Sequence, residues 1–161
     1  MLKVLSAAVL AAGMVAAPAV AADYTYVRVD TVVNAPIDKA WGIIGPFCSI
    51  AVWSPDHAPC KLEGDGGPGS MRIIPPGDLH ELMAAQTKYS YTYIQPNKDL
   101  IYHGTMAAEP VDKKHTRMIY IAMYDQEPLG TAEAKAADRK RRIDRWTFQM
   151  TRIKALIEST K

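Results

Sequence analysis

Residues 88–95 read KYSYTYIQ, with Tyr89, Tyr91 and Tyr93 at every second position. Period-two spacing marks a β-strand, in which alternate side chains share a face, so the three rings project to one side. A phenol offers a flat apolar ring and a hydroxyl that gives or accepts a hydrogen bond. A filled core favours Leu, Ile, Val and Phe, so tyrosines massed on one face suit a wall against a guest with flat and polar parts. A filled core whose hydroxyls reach backbone or solvent is the alternative. Four histidines, His57, His80, His103 and His115, are scattered along the chain, and the two cysteines, Cys48 and Cys60, form no CxxC. That is not ligand spacing, so neither a metal nor a cofactor is expected.

Cys48 and Cys60 are twelve residues apart, across the proline-broken segment SIAVWSPDHAP. They form either a bridge, contributing about 3 kcal/mol by loop entropy, or two buried thiols. The N-terminus bears on the choice. Residues 1–22, MLKVLSAAVLAAGMVAAPAVAA, have an early Lys3, an alanine-rich apolar run, Pro18 and a small-residue end. This is the layout of a secretory signal peptide cleaved before Asp23, and the run is weakly apolar for a bilayer span of about 20 residues. Export to a periplasm or the medium is therefore expected, and an oxidising compartment favours the bridge.

Cleavage leaves residues 23–161, the usual size of one domain. Loss of Lys3 takes the formal charge from +2 to +1. A near-neutral body argues against a dedicated nucleic-acid binder, and no second apolar stretch is long enough for stable membrane insertion. Monomer and homodimer both remain open.

The elements that must position these residues can be read in order. YTYVRVDTVVN (24–34) alternates as a first strand. Pro36 suits a first helical turn, and Ile37, Trp41 and Ile44 recur at helical spacing before Gly45 and Pro46 end the helix. FCSIAVWS gives a second short helix. Six β-rich segments follow from residue 60, joined by short polar links that imply antiparallel neighbours. In the last 30 residues Ile143, Trp146, Met150, Ile153 and Ile157 form one stripe along a long helix. The RKRR run (139–142) reads as a solvated face balanced by Glu133, Asp138 and Asp144, in preference to a membrane or nucleic-acid patch. Seven strands in one sheet must curl, and one helix can lie in the curl over a hollow.

The motifs VVNAPIDKAWGIIGPF, AVWSPDHAPCKLEGDGGPGSMRII, HELMAAQTKYSYTYI, IYHGTMAAEP and RMIYIAMYD resemble the START-like, or SRPBCC, superfamily. The closest resemblance is to its polyketide cyclase/dehydrase branch. The resemblance implies an α+β helix-grip (Bet v 1-like) fold: a curved seven-stranded antiparallel sheet wrapped around a long C-terminal helix, with two short helices after the first strand. It is specific for the fold and weak for the chemistry. QPNKDL (95–100) departs from the family's proline-rich gate turn.

By the same resemblance Glu81 faces inward. Alternation then turns Tyr91, Tyr93, Tyr102, Met106, Tyr120 and Tyr124 inward, with Arg72 and Ile74 on the strand before. Trp146 and Met150 on the helix and Trp53 near the mouth complete the expected ligand wall. His80 and His103 point away and His57 sits in the mouth loop. Arg72 and Glu81, as charges in a hollow, should pair with each other or with ligand.

The function implied is binding of a small hydrophobic or aromatic, polyketide-like or lipid-like molecule. The alternative is a cofactor-independent cyclase, dehydratase or lyase. Its catalytic residues would be Glu81 as acid or base, its carboxyl raised by burial, with Arg72 and Tyr120 stabilising developing charge.

Overall fold

A computed structural model describes residues 22–74, 79–96 and 101–161. The expected leader, apart from Ala22, and residues 97–100 of the QPNKDL segment lie outside the described residues. The elements run β1 (Tyr24–Val33), α1 (Ile37–Ile44), a 3-10 turn (Phe47–Ser49) leading into α2 (Ile50–Trp53), and a second such turn (Pro55–His57). Then come β2 (Lys61–Glu63), β3 (Met71–Ile74), β4 (Leu79–Thr87), β5 (Ser90–Ile94), β6 (Tyr102–Pro110), β7 (Thr116–Asp125) and α3 (Ala132–Ser159).

The strands form one curved antiparallel sheet in the order β1-β7-β6-β5-β4-β3-β2, as expected for a helix-grip fold. Only the β1–β7 neighbours are not consecutive along the chain, because α1 and α2 carry the chain from β1 at one edge to β2 at the other. Alternation fixes the inner face. In β6, Tyr102, Gly104, Met106 and Ala108 are buried, and in β7 Met118, Tyr120, Ala122 and Tyr124 are. Register sets Tyr93 beside Gly104, Gly104 beside Ala122, and Met106 beside Tyr120. A bulge between Met83 and Ala85 resets the alternation in β4. Glu81 and Met83 face inward before the bulge, and the residues beyond it are exposed.

Thr131 caps α3, its Oγ1 accepting from the amide of Ala134 at 3.2 Å, and Glu133 lies in the first turn. Met150, Ile153 and Ile157 are buried against the sheet, but Ile143, the first member of the expected stripe, is 37 % exposed. A 3-4 spacing drifts by about 20° per seven residues around a straight helix, so Ile143 has rotated off the contact face. Arg142 takes its place, its guanidinium 4.1 Å from the centre of the Tyr124 ring. Among the described residues no helix is long and apolar enough to cross a membrane.

Candidate functional site

One end of the interior is solid. Tyr91 meets Phe47 edge-on at 5.4 Å and Trp41 at 6.0 Å, while Met106, Met118, Ile153 and Ile157 belong to the same packed cluster. The other end holds a cavity of about 440 Å³. Trp53, Trp146, Tyr93 and Tyr102 give it four aromatic walls, with Ile50 and Leu79 beside them. The rest of the lining is polar: Ser54, His57, Glu81, Gln95, Arg141, Arg142, Arg145 and Gln149.

The expected ligand wall is therefore divided. Trp53, Glu81, Tyr93, Tyr102 and Trp146 line the cavity. Arg72, Ile74, Tyr91, Met106, Tyr120, Tyr124 and Met150 face inward but are buried behind it. The strand alternation was right, and larger groups cover these residues. Trp146 stacks face-on over Tyr120, and Arg142 covers Tyr124. Tyr89 ends in the turn before β5, where its hydroxyl donates to Asp38 Oδ1 on α1 at 2.6 Å.

Tyr120 nonetheless shapes the site from behind. Its hydroxyl is 2.9 Å from that of Tyr93 and 2.5 Å from that of Tyr102, tying the two cavity phenols together. Burial holds the Tyr93 and Tyr120 phenols well above their ordinary value, so both remain protonated. Gly104 makes room for this arrangement. A Cβ there would lie 2.3 Å from Tyr93 Cζ, so any larger residue would push the ring toward the cavity.

Arg72 and Glu81 pair, as one of the two expectations had it. Arg72 Nε donates to Glu81 Oε2 at 2.5 Å and Nη1 to the Phe47 carbonyl at 2.6 Å. The guanidinium also lies over the Phe47 and Tyr93 rings, 4.4 and 4.8 Å from their centres. Burial disfavours its charge, but Glu81 and then the neighbouring phenols more than offset this and raise its pKa. The other Glu81 oxygen accepts from Gln95 Nε2 at 2.9 Å.

A polar chain crosses the α2–α3 side. Arg145 Nη2 stands 3.2 Å from His57 Nε2, His57 Nδ1 is 2.7 Å from Ser54 Oγ, and Gln149 Nε2 donates to the same Oγ at 3.1 Å. A guanidinium can only donate, so Nε2 accepts and the ring carries its proton on Nδ1. Among the described residues, Gln149 Oε1 is the buried side-chain polar atom left without a protein partner. Such an atom costs about 1–3 kcal/mol if nothing meets it. No group of three or more His, Cys, Asp or Glu gathers as a metal cluster among the described residues.

A helix-grip sheet around a partly hollow interior is matched by sequence as well. The family profile described as polyketide cyclase / dehydrase and lipid transport aligns with residues 24–158. The chain belongs to this family. No curated protein matches it by sequence. Solved structures share the fold of this polyketide cyclase/dehydrase family member at low identity. A protein from Nitrosospira multiformis is 20 % identical, with 84 % of this chain and 97 % of that one covered and a TM-score of 0.64. Norcoclaurine synthase from Thalictrum flavum is 18 % identical, with 88 % and 98 % covered and a TM-score of 0.59. Ara h 8.0201 is 13 % identical, with 85 % and 99 % covered and a TM-score of 0.61.

Sequence reasoning missed Gln95, Gln149 and the three arginines of this family member's cavity. The available signal was helical spacing: Arg142 and Gln149 lie four and three residues from Trp146, on the face already assigned inward, and Arg145 adjoins it. His57 was singled out for its loop, and its imidazole is held below its ordinary value of 6.5. Burial is the main cause and the charge of Arg145 the next, against weaker opposing pulls from Glu81 and Asp56. The unfolded chain thus binds this proton more tightly than the folded one. The contribution of His57 makes stability rise with pH between its lowered folded value and 6.5, and is constant above that window. An NMR titration of the ring should give a midpoint below 6.5 that moves up in Arg145→Gln. A midpoint unmoved by that change would remove Arg145 as a cause.

Proposed function

We propose that this protein binds a small, flat, amphipathic molecule of aromatic, polyketide-like or lipid-like character between α3 and the sheet, and that it does so after export. The observation that carries this reading is the hollow of about 440 Å³ faced by four aromatic rings. It falls within the range of about 300–1,000 Å³ typical of small-molecule sites.

Binding is favoured over cyclase, dehydratase or lyase chemistry by the state of the groups such chemistry would need. Both Glu81 oxygens are engaged, one by Arg72 and one by Gln95. Arg72 and Tyr120 stand behind the cavity wall, and His57 Nε2 faces a guanidinium. Each of these groups is thus already engaged by a donor or set back from the guest. Export is supported by the signal-like residues 1–22 and by the disulfide formed between Cys48 and Cys60.

Native mass spectrometry of protein purified from its periplasm or medium tests both parts. The expected spectrum shows a chain beginning at Asp23 that carries one small organic molecule. A chain that comes bare and takes up no flat aromatic probe would sink the binding reading, and an intact leader would sink export.

A further inference from the structure

We propose that the guest of this cavity is an aromatic acid: a flat body against Trp146, Trp53 and Tyr102, with one oxyacid group held at the mouth by Arg145 and Arg141. The inference rests on the cavity being a binding site and adds the charge of what it binds.

Among the described residues, the mouth carries more positive charge than its carboxylates balance. Arg141, Arg142 and Arg145 all line the cavity, whereas Glu81 is the one acidic residue in the lining among the described residues and is committed to buried Arg72. Arg141 and Arg142 share a single carboxylate, that of Asp138, through Oδ1 and Oδ2 respectively. Arg142 is further fixed over the Tyr102 and Tyr124 rings, 5.2 and 4.1 Å from their centres. Arg145 forms no ion pair with any described carboxylate. Asp56, on the same loop as His57, does not reach it, and its one hydrogen-bond neighbour is the imidazole, which burial and Arg145 keep neutral.

The arrangement is asymmetric along the cavity. Guanidinium groups stand at the rim on α3, and indole and phenol rings stand below them. Gln149 Oε1, a buried acceptor one helical turn beyond Arg145, is left without a protein partner among the described residues and calls for a donor on the body of the guest, not for its oxyacid group. A planar guanidinium matches the two oxygens of a carboxylate and makes stronger hydrogen bonds to an anion than to a neutral acceptor. A neutral guest would leave Arg145 without a counter-charge, and a cationic guest would be repelled.

Paired probes that share a ring and differ in charge decide the matter. Binding of 2-naphthoate and 2-naphthamide to the full mature protein is followed by tryptophan quenching. The naphthoate should bind about tenfold more tightly at low ionic strength, a size expected for one charge-assisted contact. High salt should shrink that preference, because the rim is exposed. Arg145→Gln, an exposed change, should remove most of the preference by weakening naphthoate far more than naphthamide. Equal affinities in the unaltered protein, or a preference that survives in Arg145→Gln and in Arg141→Gln/Arg145→Gln, would overturn the anionic guest and leave the cavity reading standing. Failure of both probes to bind would overturn the two together.

Discussion

Arg72→Met should destabilise this protein by about 3–5 kcal/mol, which corresponds to a melting point lower by roughly 10 °C or more. Arg72 and Glu81 are 1 % and 2 % exposed, so neither charge can turn to water when its partner is removed. The substitution leaves a buried carboxylate with Gln95 as its remaining donor and no counter-charge, and takes the donor from the Phe47 carbonyl. Glu81→Leu should cost a similar amount for the mirrored reason. The double variant Arg72→Met/Glu81→Leu should cost less than either single one, because two desolvated charges leave together. Urea denaturation of the four proteins measures this. A single variant that loses under about 1 kcal/mol, or a double whose loss equals the sum of the singles, would show that the pair is not the tie between β3, β4 and the Phe47 turn described above.

The second large effect is expected at the cystine. Cys48 sits in the 3-10 turn before α2 and Cys60 just before β2, with a sequence separation of 12. Closing a loop of that length removes chain entropy from the unfolded state worth about 3 kcal/mol. Four residues inside the loop, Ile50, Trp53, Ser54 and His57, line the cavity. Replacing both cysteines by serine should therefore lower the urea midpoint by the equivalent of about 3 kcal/mol. It should also weaken probe binding several-fold, because the wall must be ordered at the expense of binding energy. Identical midpoints for the oxidised and serine forms would refute the stabilising role. A lower midpoint with unchanged probe affinity would show that the loop holds its shape without the bridge.

The residues of the candidate site were legible to different degrees. Tyr93, Tyr102, Glu81, Trp53 and Trp146 could be found by strand parity, by helical spacing and by the family resemblance, and all of them line the cavity. Tyr91, Tyr120 and Tyr124 obey the same parity and are buried, yet a guest cannot touch them. Parity tells which face of a strand a side chain leaves from. It does not tell what lies above it. Trp146 over Tyr120 and Phe47 beside Tyr91 are contacts between elements far apart in sequence. The arginines of α3 show the converse error. A charged run on a helix is usually solvated, and Lys140 with Asp144 fits that description. Arg142 spends its charge on Asp138 and its flat face on two tyrosine rings.

By itself the sequence determined the order and type of the elements. Together with the family resemblance that turned Glu81 inward, it also set the inner faces of β3 to β7, the lower face of α3 from Met150 onward, and the pairing of Arg72 with Glu81 as an option. These follow from local periodicity and from the high cost of an unpaired buried charge, and both are written in residue types and spacings. Only the tertiary structure decided that the interior is solid under Phe47 and Trp41 and hollow beneath Arg145. It alone brought Ser54, His57, Arg145 and Gln149 into one polar chain. Where side chains from distant elements meet, volume and not periodicity divides wall from filling, and volume is fixed only when the helix has settled onto the sheet.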